Sequence, residues 1–232
     1  MRFDREQAIF SNRYDAGRKL AAKLANYKGQ QMAVLAIPNG GLPVALEVAL
    51  LLEADLDLVI SRKLPLPLTP EAGFGAVGDD GTVILNDEVV ARIGLSPYQV
   101  NYQVNKVRSE IQQRSMLYRE YRSVAVVNGR TAIIIDDGLA SGFTMMVAVE
   151  SVRRRRPEKV VVAIPATSEA ALAKVREVAD EVVTLAIGSA AKFYIADFYE
   201  YWHDLSNEEA IQCLKEWRLR RFQSNVDQPP KG

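Results

Sequence analysis

Runs of mainly apolar residues alternate with segments of helical periodicity along most of the chain. The apolar runs occupy residues 32–37, 57–61, 131–136, 159–164 and 181–187. Such short, continuous apolar runs are typical of parallel strands that are buried on both faces of a sheet. The pattern therefore predicts an α/β fold, in which a largely parallel sheet of five strands is flanked by helices.

The segments between these runs predict helices and one hairpin. Helices are expected over residues 12–28, 42–53, 144–156 and 168–178, with a long one after Ser96-Pro97 and a last one after Ser206. Serine before proline is typical of a helix start, and Ser206 with Glu209 matches a capping box. Residues 72–85 predict a hairpin that turns at 79–81. The prolines of segment 64–70 predict no regular element there.

Composition and charge narrow the class of protein. Apolar residues make up 48% of the chain and charged residues 25%, while Lys+Arg and Asp+Glu both number 29. This balance gives no reason to expect nucleic acid or a membrane surface as partner. A single cysteine, Cys213, fits a reducing cytoplasm. The charged N-terminus argues against a signal peptide, and the acids within 42–60 argue against a membrane span. We expect one cytoplasmic domain over 1–223 and a disordered tail over 224–232.

The most informative stretch is IIIDDGLASGFT, residues 133–144. Its strand delivers Asp136 and Asp137 to the carboxyl edge of the sheet, where ligands bind in such folds. The following loop leads into a helix, whose N-terminus suits a phosphate group. This loop consists of Gly138, Leu139, Ala140, Ser141, Gly142, Phe143 and Thr144. Neither GxxxxGK[ST] nor GxGxxG is present, which argues against nucleoside triphosphate and dinucleotide sites.

The two aspartates need a partner other than the phosphate, which they would repel. Vicinal ribose hydroxyls and a magnesium ion are both suitable partners for carboxylates. A ribose 5-phosphate therefore satisfies both halves of the segment. The alternative is that the aspartates only cap a tight turn between the strand and the helix.

Several stretches resemble type I phosphoribosyltransferases over roughly residues 1–215. The family's motif for binding phosphoribosyl pyrophosphate (PRPP) is resembled by IIIDDGLASGFT. Its pyrophosphate loop is resembled by LAIPNGGLPVA (35–45), and the end of its next strand is resembled by ISRKL (60–64). FGAVGDDGTVILND (74–87) and FYIADFYEYWHDLSNEEA (193–210) resemble the hairpin and the C-terminal segment of a bacterial and archaeal subgroup whose acceptor is unassigned.

The resemblance implies a function and a set of roles. The function is Mg²⁺-dependent transfer of a 5-phosphoribosyl group from PRPP to a nitrogenous base in nucleotide salvage, which releases pyrophosphate and yields a nucleoside monophosphate. Asp136 and Asp137 would bind the ribose and the metal, and residues 138–144 the 5-phosphate. The pyrophosphate would meet the loop Pro38, Asn39, Gly40 and Gly41, together with Arg62 and Lys63. Segment 64–80 would be a flexible loop that closes over the site.

The family also implies a hood subdomain and a homodimer. The hood would comprise residues 188–206 and part of the N-terminus, with Phe193 or Tyr194 stacking on the base. A second interpretation of this aromatic-rich segment is a helix core. Asn39 departs from the subgroup, which usually has arginine there, and this weakens the case for full activity. The second functional interpretation is therefore a regulatory protein that binds PRPP or a nucleotide with little or no catalysis.

Other charged groups have simpler interpretations. Arg62 and Lys63 could form a solvated strand end, and residues 38–41 a plain turn. Residues 153–156 are four arginines, but consecutive positions spread around a helix, and cations are favoured in a last turn. We expect them to be structural, and an RNA-binding role is the weaker alternative. The single histidine, His203, is expected on the surface or in packing.

Overall fold

The core of the protein is a five-stranded sheet in which all neighbouring strands are parallel. The computed structural model describes residues 8–66, 69–188 and 193–226. Numbered along the chain, the strands of this sheet are β1 (Met32–Ala36), β2 (Asp55–Leu58), β6 (Thr131–Ile135), β7 (Lys159–Ser168) and β8 (Glu181–Gly188). Their order is β2-β1-β6-β7-β8. The predicted parallel sheet is confirmed.

A second, antiparallel sheet contains β3 (Ser61–Leu66), β4 (Thr69–Gly78) and β5 (Val83–Leu85). The prediction that residues 64–70 form no regular element is wrong, because β3 and β4 extend into this segment. The pairing register shifts on both sides of Pro65, so the proline lies at an irregularity of an edge strand, where the missing N–H is tolerated. The predicted turn at 79–81 and the strand after it are confirmed.

Six of the seven described helices lie close to predicted positions, although the first ends at Lys23 and not at residue 28, and the helix over Asp87–Ile93 was not predicted. The seven helices are α1 (Arg13–Lys23), α2 (Gly41–Leu52), α3 (Asp87–Ile93), α4 (Pro97–Tyr118), α5 (Phe143–Arg153), α6 (Glu169–Arg176) and α7 (Asn207–Val226). Ser96 caps α4, and Ser206 and Glu209 exchange the two hydrogen bonds of a capping box at α7. Helix α7 continues into the predicted tail, and residues 227–232 lie outside the described part of the chain.

Successive residues of the central strands face two different cores, as the period of a strand requires. Val34 of β1 packs in one core with Leu20 of α1 and Leu46 of α2, whereas Leu35 packs in the other with Val149 of α5. The sheet is thus covered on both faces, which explains the apolar runs in the sequence. In the part of the chain that the structure describes, no helix has the length and apolarity needed to cross a bilayer.

The strand order also locates the site. The chain proceeds from β1 to β2 on one side and from β6 to β7 and β8 on the other, so the topology reverses between β1 and β6. In open α/β sheets, ligands bind at the carboxyl end of such a switch point. The loops there are residues 37–41 and 136–142.

Candidate active site

The loops after β1 and β6 lie against each other. Ile37 N donates to Ile135 O at 2.9 Å, which continues the pairing of the strands beyond β1. A side chain on Gly40 would collide with the carboxylate of Asp137, and a Cβ on Gly41 would lie 2.7 Å from Ile135 O. The absence of side chains at both glycines therefore allows the predicted pyrophosphate loop to touch the predicted ribose-binding segment.

This contact predicts a large effect for a small change. Gly40→Ala is expected to displace either the loop or Asp137 and to lower the affinity for ribose 5-phosphate by roughly 5- to 100-fold, since overpacking costs about 1–3 kcal/mol. Calorimetric titration checks this. Gly81→Ala is the control, because Gly81 has a positive φ of 87° but open space around it. Equal affinities for ribose 5-phosphate in the two variants would contradict the prediction.

Asp137 is the centre of a buried network. Its Oδ2 accepts from Arg13 Nε at 2.8 Å, and the two side chains are only 12% and 7% exposed. Arg13 also donates through Nη1 to His203 O at 2.9 Å, and its guanidinium lies 3.8 Å from the centre of the Trp202 ring. Tyr199 Oη donates to Asp137 O at 2.6 Å. Asp137 thus joins the start of α1 and the segment before α7 to the PRPP-like motif.

Asp136 has a different environment from its neighbour. Its Oδ1 accepts from Asp137 N at 2.9 Å, and the side chain is only partly buried by surface area. Desolvation, and then the nearby charge of Asp137, raise the pKa of Asp136 well above its ordinary value. The two acids are therefore not equivalent: Asp137 is engaged by a cation, whereas Asp136 keeps a carboxylate oxygen for a ligand.

The predicted phosphate loop, residues 138–144, is held at its base by hydrogen bonds and is exposed at its tip. Leu139 N donates to Ala166 O at 2.9 Å, and Ser168 N donates to Leu139 O at 3.0 Å, so the loop pairs with β7. Gly142 adopts a φ of 85° immediately before α5, and the first N–H groups of a helix have no partner within it. Ser141 is exposed. The loop therefore has backbone donors that an anion could bind, and its role in binding a 5-phosphate stays a prediction.

A lysine lies at this loop although the loop sequence contains none. Lys174 of α6 places its Nζ 4.5 Å from the centre of the Phe143 ring and 3.5 Å from Ser141 O. It adds a positive charge beside the N-terminus of α5. No local pattern around Lys174 indicates this position, because Lys174 reaches the loop only through the packing of α6 on α5.

The predicted pyrophosphate contacts lie on the other side of the switch point. Arg62 and Lys63 belong to β3, not to the end of the preceding strand, and Arg62 Nη1 lies 3.2 Å from Glu110 Oε2. Asn39, which follows a cis peptide bond, donates through Nδ2 to Leu205 O at 2.8 Å. Its Oδ1 accepts from Tyr118 Oη at 2.6 Å. The amide of Asn39 is thus bound to the segment before α7 and to α4.

Segment 64–80, predicted to be a flexible loop, is mostly strand. It contains the end of β3 and the whole of β4, and Phe74, Ala76 and Val77 are buried. The described residues of this segment are therefore largely a strand pair, and closure of the segment over the site stays a prediction. Residues 67–68, at the turn between the two strands, lie outside the described part of the chain.

The hood aromatics divide into two groups. Phe193 packs against Phe198, with ring centres 5.2 Å apart, and Tyr194 is 59% exposed. Tyr199 and Trp202 instead surround Arg13, and their ring centres are 5.1 Å apart. Base stacking by Phe193 or Tyr194 stays a prediction. The position of Tyr199 and Trp202 around Arg13 was not predicted, since it depends on the contact of Arg13 with Asp137.

The side chains at the ends of β1 and β6 are better suited to a magnesium ion that arrives with the substrate than to an ion held by the protein alone. Within the described ranges, no group of three or more His, Cys, Asp and Glu side chains could hold a metal. Asp137 is already bound to Arg13. Mg²⁺ commonly keeps several waters and binds through one or two carboxylates and substrate phosphates. Asp136 is the side chain that could hold such an ion, and its metal role stays a prediction.

The remaining charged groups have structural contacts. Arg153 Nη2 donates to Val178 O at 2.6 Å, while Arg154 Nη1 lies 3.2 Å from Asp80 Oδ2. Arg155 lies on a third side, 3.7 Å from the buried carboxylate of Asp57. These three arginines diverge from one another, although α5 ends at Arg153 and the other two follow the helix.

Comparison with known proteins agrees with this geometry. The family model of the phosphoribosyl transferase domain matches residues 7–197. Rv0571c of Mycobacterium tuberculosis, whose name marks its assignment to the phosphoribosyl transferases as provisional, is 39% identical over 206 residues. That match covers 89% of this chain but 46% of the relative, so the chain spans about half the length of the curated relatives it matches. The crystal structure of TT1426 from Thermus thermophilus superposes with a TM-score of 0.72 at 32% identity, covering 90% of this chain and 98% of that one. The chain therefore belongs to the phosphoribosyl transferase family.

Proposed function

We propose that this protein transfers the 5-phosphoribosyl group of PRPP to a nitrogenous base, with release of pyrophosphate and formation of a nucleoside monophosphate. The observation that carries this proposal is the contact between the loops after β1 and β6, where Gly40 lies against Asp137. One loop has the donors for a 5-phosphate, and the other is contacted by Arg114, whose Nη1 donates to Asn39 Oδ1 at 3.2 Å. A ligand with a phosphate at one end and a diphosphate at the other matches this arrangement.

The chain's own residues would act mainly by positioning. Backbone donors of residues 138–144 hold the 5-phosphate, with Lys174 as an added cation. Asp136 accepts from a ribose hydroxyl, and residues 38–41 with Arg62 hold the pyrophosphate group. The C1–O bond to pyrophosphate breaks as a C1–N bond to the base forms, and fixed donors that face the leaving group stabilise the charge that develops. When bound, Mg²⁺ would supply further neutralisation of the leaving pyrophosphate.

A ligand-stabilisation experiment tests the phosphate half of this proposal. Ribose 5-phosphate, AMP, GMP and UMP are expected to raise the melting temperature, because a ligand at 100 times its Kd stabilises the folded state by about 2.7 kcal/mol. The corresponding nucleosides should have much smaller effects, since they lack the group that the loop binds. Equal stabilisation by nucleosides and monophosphates would contradict the proposal.

Catalysis is tested separately, by pyrophosphate release from PRPP and Mg²⁺ in the presence of individual bases. Binding of PRPP without release for any base would favour the second candidate, a regulatory protein that binds PRPP or a nucleotide. Asn39 supports this second candidate, because its neutral amide is engaged by protein groups and places no charge on the pyrophosphate loop. A homodimer, a cytoplasmic location and a role in nucleotide salvage are proposed from family membership alone.

A further inference from the structure

A partly buried arginine lies beside the predicted pyrophosphate loop. Arg114, on the last part of α4, donates through Nη1 to Asn39 Oδ1 at 3.2 Å. Among the residues that the structure describes, no carboxylate oxygen lies within ion-pair distance of Arg114. A guanidinium that is withdrawn from water and bound only to a neutral amide keeps most of its capacity to bind an anion.

A second arginine lies close to the first. Arg62 of β3 binds Glu110, and Glu110 lies one helical turn before Arg114 on the same face of α4. The ion pair of Arg62 with Glu110 therefore places the two guanidinium groups at neighbouring turns of α4, and burial and the charge of Arg62 lower the pKa of Arg114. Arg62 therefore has a carboxylate partner, whereas Arg114, one turn along the helix, is bound only to the amide of Asn39. Bringing like charges together at a partly buried position is unfavourable unless an anion joins them.

The arginines lie at the same sheet edge as the motif. Asn39, which binds Arg114, directly precedes Gly40, and Gly40 touches Asp137. Arg62 follows β2 at this edge. A bound ligand can therefore contact the arginines and the PRPP-like motif together.

We propose that Arg62 and Arg114 form a two-arginine site for a diphosphate group, and that Arg114 determines the preference of this protein for diphosphate-bearing ligands over monophosphates. This inference rests on the proposed function, since it assigns the diphosphate end of the same ligand. Guanidinium groups suit this task because their planar donors bind phosphate oxygens in pairs. Asn39 has an orienting role in this arrangement: its Oδ1 holds Arg114, and its own amide does not bind the anion.

The test uses calorimetric titrations with two probes, inorganic pyrophosphate with Mg²⁺ and ribose 5-phosphate. Arg114→Gln is expected to weaken pyrophosphate binding roughly ten- to hundred-fold, as the loss of a charge-assisted hydrogen bond implies, and to leave ribose 5-phosphate binding within about two-fold. Arg114→Lys should recover part of the lost affinity, because lysine restores the positive charge but not the paired planar donors of a guanidinium group. Arg108→Gln is the matched control, since Arg108 lies on the same helix and donates to Gly81 O on the surface. It should match wild type with both probes.

Each outcome separates this inference from the proposed function. Unchanged pyrophosphate binding in Arg114→Gln, or an equal loss for both probes, would overturn the role of Arg114 while the proposed function stands. Failure of the wild-type protein to bind ribose 5-phosphate would overturn the proposed function and this inference with it. If Arg114→Gln does not fold, the Arg114→Lys variant tests the inference in its place. Pyrophosphate binding equal to that of wild type would then overturn the proposed binding of phosphate oxygens by paired guanidinium donors.

Discussion

Replacing Arg13 by methionine is expected to lower the free energy of unfolding by about 3–5 kcal/mol, the usual cost of removing one partner of a buried ion pair. The variant leaves the carboxylate of Asp137 nearly enclosed and without its cation. It also removes the hydrogen bond to His203 O and the contact with the Trp202 ring. Because these contacts fasten α1 and the segment before α7 to the motif, the affinity for ribose 5-phosphate should fall as well.

Chemical denaturation of wild type and variant measures this effect. Arg18→Met is the control, because Arg18 lies on the same helix, is 53% exposed, and is 3.8 Å from its partner Glu47; its loss should cost about 1 kcal/mol or less. Combining Arg13→Met with Asp137→Leu should recover part of the lost stability, since a buried pair replaced by apolar groups is often neutral. Similar losses in Arg13→Met and Arg18→Met would show that the buried pair does not stabilise the fold.

The sequence predicted what depends on local pattern. The five strands follow from apolar runs such as 131–136, and parallel pairing then places the ends of β1 and β6 at one edge. The phosphate loop follows from its small residues before a helix. These features could be found because strand burial and helix starts depend on residues within a few positions of one another.

The missed features depend on residues that are distant in the chain. Arg13 and Asp137 are separated by 124 positions, and nothing around Arg13 indicates its partner. Arg114 lies in the last part of a long helix with an ordinary periodic pattern, and its proposed role depends on the packing of α4 against the loop of Asn39. The strand around Pro65 was missed for a different reason, because a register shift accommodates a residue that usually excludes a strand.

Isosteric changes at the two adjacent acids are expected to have opposite effects on stability. Asp137→Asn should lower the free energy of unfolding by about 3 kcal/mol at pH 7, because Arg13 stays buried beside a neutral amide. Asp136→Asn should raise it, because the fold disfavours the charged form of Asp136. An asparagine Oδ1 can keep the hydrogen bond from Asp137 N. Both variants should bind ribose 5-phosphate more weakly, the first through the displaced loop and the second through the lost ribose contact.

The pH dependence distinguishes this cause from simple repacking at residue 136. The pKa of Asp136 is raised in the fold above the ordinary value of 3.8, so the folded state binds this proton more tightly than the unfolded state. Its contribution to stability is therefore fully present below about pH 4 and is lost as the pH rises through the folded pKa. The advantage of Asp136→Asn over wild type should be small near pH 4 and should grow toward pH 7. Chemical denaturation of both proteins at several pH values measures the difference between their free energies of unfolding. If that difference does not change with pH, the charge of Asp136 is not what destabilises the fold.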